Sequence, residues 1–394
     1  MHDEADDETR APGGATSELR RDIVSGNFVL VNPARSERPH TVASGVGASG
    51  VGASGVGASG VGASGVGASG VGASGVGGAV APADVVADCP FCWGNEAATA
   101  EELMRRGPGA PGTPGWRVRV VRNRYPVVEG AHDAIAPCEV VVFRSHDRRI
   151  EDLGVAEVAE ILEVIRDRVA VQTRAGRASV QVFVNVERDA GASIEHPHAQ
   201  LISLDFAPPA LALEFDMMAT VGPDPVGADL ALAREEGLVI VDDDIAAWCP
   251  WGMPYPFGVR IAPRVAGAPF AELDATTVVS VAQVLRDVLR SMNDMLDRPA
   301  YNVVVFADQT RHESVRRWRI EAIPRINVGG GFEIGTAVTT HSIPAHSAAD
   351  AFRRQLAGQL VDQLDDQLDD QLDETSGSTN SHNSGRVLPI RTYS

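Results

Sequence analysis

Ser179-Val180-Gln181-Val182-Phe183-Val184-Asn185 alternates valine with larger or polar side chains, the period of a strand with one well-buried face. Working outward, Glu139 to Phe143 also reads as a strand. Between the two, Val155, Val158, Ile161, Leu162, Ile165 and Val169 recur at helical spacing. A further strand should carry His196 to Phe206. The second half repeats this order. Val259 to Ala262 is strand-like, and Val278, Val281, Leu285, Val288, Leu289 and Met292 form a helical stripe. Strands then follow at Asn302 to Phe306 and Trp318 to Ile323. Two strand–helix–strand–strand units predict an α+β fold, duplicated, with antiparallel sheets and packed helices.

Composition sets the frame for this core. The 394 residues carry 53 acidic and 34 basic side chains, a net charge of -19. Every basic residue among the 34 is arginine. An acidic, lysine-free surface suggests a salt-rich, halophilic cytoplasm. No basic tract argues for nucleic-acid binding, while arginine pairs remain available for small phosphates. The acidic N-terminus lacks a signal-peptide pattern. The charge-free run from Thr41 to Ala83 is too rich in Gly, Ala and Ser to span a membrane. Four cysteines, two in a Cys-x-x-Cys, fit a reducing compartment and a metal better than disulfides. A cytoplasmic protein with no membrane partner is expected.

The expected organisation is an acidic disordered N-terminus (1–17), an N-terminal unit (18–206), a C-terminal unit (207–354) and an acidic low-complexity tail (355–394). Residues 43–77 are seven copies of Ala-Ser-Gly-Val-Gly. They bury too little apolar surface to offset their chain entropy, so an inserted flexible loop is expected. In the tail, Leu356, Leu360, Leu364, Leu368 and Leu372 are spaced by four and interleaved with Gln and Asp. Such a spacing drifts around a helix, which predicts a solvated acidic helix instead of a coiled-coil seam.

The chemistry gathers around Gly191-Ala192-Ser193-Ile194-Glu195-His196-Pro197-His198-Ala199-Gln200. If the segment is extended, residues 196, 198 and 200 share a face, and Pro197 stiffens the row. Two buried histidines with satisfied hydrogen bonds would fit the same pattern, so other residues must decide. Cys89-Pro90-Phe91-Cys92 is a knuckle whose thiolates can reach one tetrahedral ion, although a redox pair has the same spacing. His146 and His196 are the candidate remaining ligands, in a closed and therefore structural zinc site. Cys138 and Cys249 have no partner at ligand spacing and read as buried residues. With His196 on zinc, His198 stays free, and a neutral imidazole of pKa about 6.5 is a competent nucleophile toward phosphorus. Gln200 would donate to a phosphoryl oxygen without supplying a base for water. Arg35 and Arg38 offer two guanidiniums for phosphate. Glu321-Ala322-Ile323-Pro324 stands where the second unit would have its histidine row, so one half alone is equipped.

Arg35-x-x-Arg38-Pro39, Cys89-x-x-Cys92, the Trp116 to Pro126 run with Asn123-Arg124-Tyr125-Pro126, Asn185 through Gln200, and Gly331-Phe332-Glu333 occur in this order. The chain thereby resembles the galactose-1-phosphate uridylyltransferases, the transferase branch of the histidine-triad superfamily. That resemblance covers residues 18 to 354 outside the repeat, and implies two histidine-triad-like units. It implies a ping-pong exchange in which His198 takes a uridylyl group from UDP-glucose and galactose 1-phosphate collects it. It places zinc on Cys89, Cys92, His146 and His196. Substrate contacts fall to Arg35, Arg38, Asn123, Asn185, Ser193 and Gln200. A homodimer would bring Phe332 and Glu333 to the neighbouring site. Some members hold a second metal through one Glu and three His. Here Glu214 has only Arg317-Trp318-Arg319-Ile320-Glu321 to work with, so no second iron site is expected. Asn327 replaces an expected basic residue. An adenylyl-transferring relative (an ADP-sugar or dinucleotide phosphorylase) is the near alternative. A histidine-triad hydrolase is a further one, opposed by Gln200, and a binding protein without activity is opposed by the intact His198.

Overall fold

The computed structural model describes residues 17–33, 85–126, 135–307, 317–359 and 361. The repeat at 43–77, Arg35 and Arg38, and the tail leucines from Leu360 onward lie outside the described residues. The first unit runs through β5 (Ile135–Phe143), α1 (Val155–Arg174), β6 (Ser179–Val186) and β7 (His198–Leu204). The second runs through β10 (Val259–Pro263), α4 (Ala275–Leu296), β11 (Tyr301–Phe306) and β12 (Arg319–Pro324). Both follow the order expected from the apolar periodicity. α4 begins where Asp274 caps it by accepting from the Thr277 amide at 2.7 Å.

The two units form one sheet and not two. Its strand order is β3-β4-β5-β7-β6-β11-β12-β10-β9-β8, with β3 (Glu102–Arg106), β4 (Val118–Arg122), β8 (Val239–Asp242) and β9 (Ile245–Trp248) at its flanks. Every pairing in it is antiparallel. At the seam β6 pairs with β11, Asn185 opposite Asn302 and Val184 opposite Val303. α1 and α4 lie side by side over one face, where Ile161, Leu162, Ile165, Leu285, Val288 and Leu289 are buried with Val182, Val184 and Leu201 of the sheet.

The other face carries the chemistry. β1 (Glu18–Arg21) and β2 (Phe28–Val31) do not join the first unit's sheet. They pair with β13 (Thr339–His341) in a separate three-stranded sheet on the C-terminal half. Gly252 permits this contact, because a Cβ there would meet the Asp22 backbone at 2.6 Å. α2 (Pro209–Val221) and α3 (Pro225–Glu235) lead from β7 to β8, and α5 (Gly331–Thr336) sits between β12 and β13. A last helix, α6, spans 345–359 and passes the boundary expected at 354. Leu356 is part of the main core and not of a solvated tail, since α6 still packs there. Among the described residues, no helix is long and apolar enough to cross a membrane.

Candidate active site and metal centre

The knuckle is a tight turn. The Cys92 amide donates to the Cys89 carbonyl, and the Asn95 carboxamide donates to that carbonyl at 2.8 Å. Phe91, Trp93 and Trp116 bury the turn against Val121, Val140 and Val142 of the sheet. Sequence spacing alone leaves the partner ligands open, whereas the fold brings them in. Cys89, Cys92, His146 and His196 have ligand atoms within 4.8 Å of one another. His196 Nδ1 lies 3.7 Å from Cys89 Sγ and 3.5 Å from Cys92 Sγ, and His146 Nδ1 lies 3.4 Å from Cys92 Sγ. Tetrahedral zinc, with bonds of about 2.0–2.1 Å to nitrogen and 2.3 Å to sulfur, requires neighbouring ligand atoms roughly 3.3–3.8 Å apart. The donor set therefore fits a metal ion.

The protonation pattern agrees. His196 Nε2 is 2.7 Å from the Phe143 carbonyl, which can only accept, so that nitrogen carries the proton and Nδ1 presents a lone pair to the cluster. The Val86 amide also points at Cys92 Sγ, at 3.3 Å. His146, in the bend that follows β5, is brought within reach by the fold.

His198 has the opposite arrangement. Its Nδ1 is 2.8 Å from the His196 carbonyl, so Nδ1 holds the proton and Nε2 keeps the lone pair. Burial holds its pKa below the ordinary value, with the bond to the His196 carbonyl opposing the shift. The ring is thus neutral at physiological pH. Phe91 packs edge-on against it, ring centres 5.2 Å apart.

The three-residue row expected in one strand is only partly formed. β7 starts at His198, because Pro197 has no amide to donate and its carbonyl takes the Phe143 amide at 3.2 Å. His196 lies in the preceding bend, and its ring reaches the metal cluster from there. His198 and Gln200 share a face, as the pleat requires. The Gln200 carboxamide makes no hydrogen bond among the described residues, with Val140 and Phe183 as its cross-strand neighbours.

Beside these lies a cleft of about 800 Å3, lined by His146, Asn185, Ser193 and Pro197 among others. Asn185 is fixed at its wall. Its amide donates to the Gly191 carbonyl at 3.3 Å, and its oxygen accepts from Asn302 at 2.8 Å. Ser193 makes no side-chain bond among the described residues. Asn123 stands past the end of β4, its oxygen accepting from the Tyr125 amide. Phe332 is half exposed on α5, where both Glu333 oxygens are engaged, by the Gly330 amide and the Thr340 hydroxyl. Neither lines the cleft. Glu214 accepts from Arg319 at 2.5 and 3.1 Å, and Arg319 also holds Glu321 at 2.9 Å. Cys138 and Cys249 are buried, and burial pushes the Cys249 thiol up to about 12.

Sequence reasoning passed over Phe91, Asn302, Arg149 and Glu187. Phe91 had a signal, being inside the knuckle. The other three are brought in by the β6–β11 seam and by the turn after Val186, which no local pattern announces.

A buried histidine whose Nε2 keeps its lone pair, next to a Cys2His2 cluster on an antiparallel sheet, sets a candidate nucleophile beside a candidate metal centre. Comparison with known proteins narrows the reading. No protein-family model matches the chain. An ADP-glucose phosphorylase of Arabidopsis thaliana is 24% identical over 364 residues, 85% of this chain and 92% of that protein. A galactose-1-phosphate uridylyltransferase of Streptomyces lividans is 27% identical over 217 residues, 53% of this chain and 56% of that protein. The crystal structure of the Arabidopsis ADP-glucose phosphorylase with bound ADP-glucose matches with a TM-score of 0.67 and 22% identity, covering 86% of this chain and 99% of that one. The chain is thus similar to galactose-1-phosphate uridylyltransferases and to an ADP-glucose phosphorylase, and shares the fold of the latter.

Proposed function

We propose that the protein is a nucleotidyltransferase that passes a nucleoside monophosphate through His198. One observation carries this reading: the His196 carbonyl pins the Nδ1 proton, so a neutral imidazole offers Nε2 as nucleophile. In the first half-reaction Nε2 bonds to the α-phosphorus of a sugar nucleotide. The bond from that phosphorus to the bridging oxygen breaks, and the sugar phosphate leaves. In the second, a phosphate oxygen of the acceptor attacks the same phosphorus and His198 departs neutral after losing no proton of its own at Nδ1. Gln200, which lacks a protein partner among the described residues, donates to a non-bridging oxygen as charge develops there. Ser193, Asn185, Asn123, Arg35 and Arg38 bind the rest of the substrate.

ADP-glucose is the donor favoured by likeness along nearly the whole length of the Arabidopsis phosphorylase. The second reading, uridylyl exchange between UDP-glucose and galactose 1-phosphate, is favoured by the uridylyltransferase relatives. Zinc held by Cys89, Cys92, His146 and His196 would tie the knuckle to the strand that begins at His198, supplying rigidity and no catalytic step. A homodimer with Phe332 and Glu333 reaching the neighbouring site completes the reading.

The test is to incubate the protein separately with ADP-glucose and UDP-glucose, each radiolabelled at the α-phosphorus. Acid-labile label on the protein is expected from one donor, and none on His198→Gly. Absence of label from both donors would overturn nucleotidyl transfer. Label persisting on His198→Gly would move the nucleophile elsewhere.

A further inference from the structure

Glu187 adopts a backbone conformation that does not suit a glutamate. At φ 70° and ψ 161° it occupies a region that is open to glycine and closed to side chains bearing a Cβ. It is one of five described non-glycine residues with positive φ; Arg298, at φ 54°, lines the cleft with it. The surrounding turn fixes this geometry. The Glu187 carbonyl accepts from the Ala190 and Ala192 amides, both at 3.1 Å, so the segment that carries Ser193 is folded back on this residue.

The side chain is oriented as firmly as the backbone. Arg149 donates to Glu187 Oε1, and Arg149 is itself buried and anchored to the Pro299 carbonyl at 3.2 Å. Behind it, Glu151 lies 3.8 Å from Arg149 and accepts from Tyr301. The second Glu187 oxygen has no donor among the described residues, and the side chain is 54% exposed toward solvent. A carboxylate thus lines the same cleft as Asn185 and Ser193, one oxygen clamped and one open, at a position where glycine would relieve the backbone.

We infer that Glu187 is a specificity-determining residue whose open oxygen accepts a hydrogen bond from a hydroxyl of the sugar in the cleft. A carboxylate pre-oriented by a guanidinium is suited to polyhydroxyl ligands, since it accepts without competing for a proton. The cleft volume of about 800 Å3 accommodates a sugar phosphate. A hydroxyl that meets a fixed charged acceptor discriminates between sugars more strongly than apolar contact does. This inference rests on the nucleotidyl transfer proposed above.

The experiment uses the full chain with Glu187→Gln, Glu187→Ala and Glu187→Gly. Labelling of the unmodified protein comes first. If it fails, the transferase reading falls and Glu187 is not the cause. With labelling established, the rates are compared for the glucose, galactose and xylose forms of the competent nucleotide. All three variants should lose about tenfold to hundredfold in kcat/KM for the preferred sugar. Its lead over the other two should shrink. An equal loss on all three sugars, or no loss, would overturn the assignment. Melting supplies a second arm. Despite the greater chain entropy of glycine, Glu187→Gly should melt above Glu187→Ala, by at least about 2 °C. The reverse order would remove the argument that the carboxylate is held at a conformational cost.

Discussion

His196 and His198, two residues apart, present opposite ring nitrogens. Carbonyl acceptors make the difference: Phe143 binds Nε2 of the first and His196 binds Nδ1 of the second. The same residue type thereby offers its lone pair to the Cys2His2 cluster in one case and, in the proposed function, to phosphorus in the other. Their substitutions should separate accordingly. His196→Asn removes one of four proposed ligands, so zinc per chain, proposed to be near one, should fall well below one half by metal analysis. Thermal melting should fall with it. A variant that kept a full complement of zinc would show that His196 is no ligand. Phe91 links the two, with ring centres 6.0 Å from His196 and 5.2 Å from His198. Phe91→Ala would leave a cavity beside both rings and should cost about 3–5 kcal/mol in denaturant unfolding.

Where the N-terminal strand meets the second unit, β1, α3, β10 and β12 converge on one buried arginine. Arg260 bonds Asp22 at 3.1 Å, Asp229 at 2.5 Å and Glu321 at 3.0 Å, and Trp248 donates to Asp229 at 2.7 Å. Arg260→Met leaves Asp22 and Asp229 in the interior without their guanidinium partner, while Arg319 still holds Glu321, and about 3–5 kcal/mol of stability should be lost. Burial pushes Asp229 up to about 6 from its usual 3.8, against the pull of Arg260. Because the folded pKa is raised, the stability it contributes is complete below pH 3.8 and disappears as pH rises through 6. Asp229→Asn lacks this titration. The melting temperature of the parent relative to the variant should therefore decline between about pH 4 and pH 6.5 and level off above. A constant difference across that range would contradict the shift. Such long-range contacts explain what could be read in advance. α1 and α4 were legible because period 3.6 is written into Val158, Ile161, Ile165 and their counterparts. β6 was legible from alternation. Alternation says which face is buried and not which strand lies alongside, so the β6–β11 seam and the single sheet were hidden. Cys89 and Cys92 offered a metal-compatible spacing that a redox pair shares, whereas the φ of Glu187 leaves no trace in residue identity.

Across the whole chain, 53 acidic residues face 34 arginines, so like-charge repulsion opposes compaction even though many arginines are paired. Two effects of salt then compete. Screening weakens exposed pairs such as Arg117–Glu160 at 2.6 Å and Arg122–Glu101 at 2.8 Å. Each such pair is worth about 0–1 kcal/mol. Screening also relieves the repulsion of an excess of 19 negative charges, which acts over many pairs at once. The excess should win, because the buried pairs around Arg260 and Arg319 are shielded from the solvent ions that would weaken them. The Debye length already drops from about 30 Å at 0.01 M to about 10 Å at 0.1 M and 3 Å at 1 M. Most of the gain in melting temperature should therefore appear between 0.01 and 0.5 M KCl, before ion exclusion effects become large. Scanning calorimetry over that range decides the matter. A flat or falling Tm would mean that exposed pairs, and not net charge, govern the electrostatic stability of this protein.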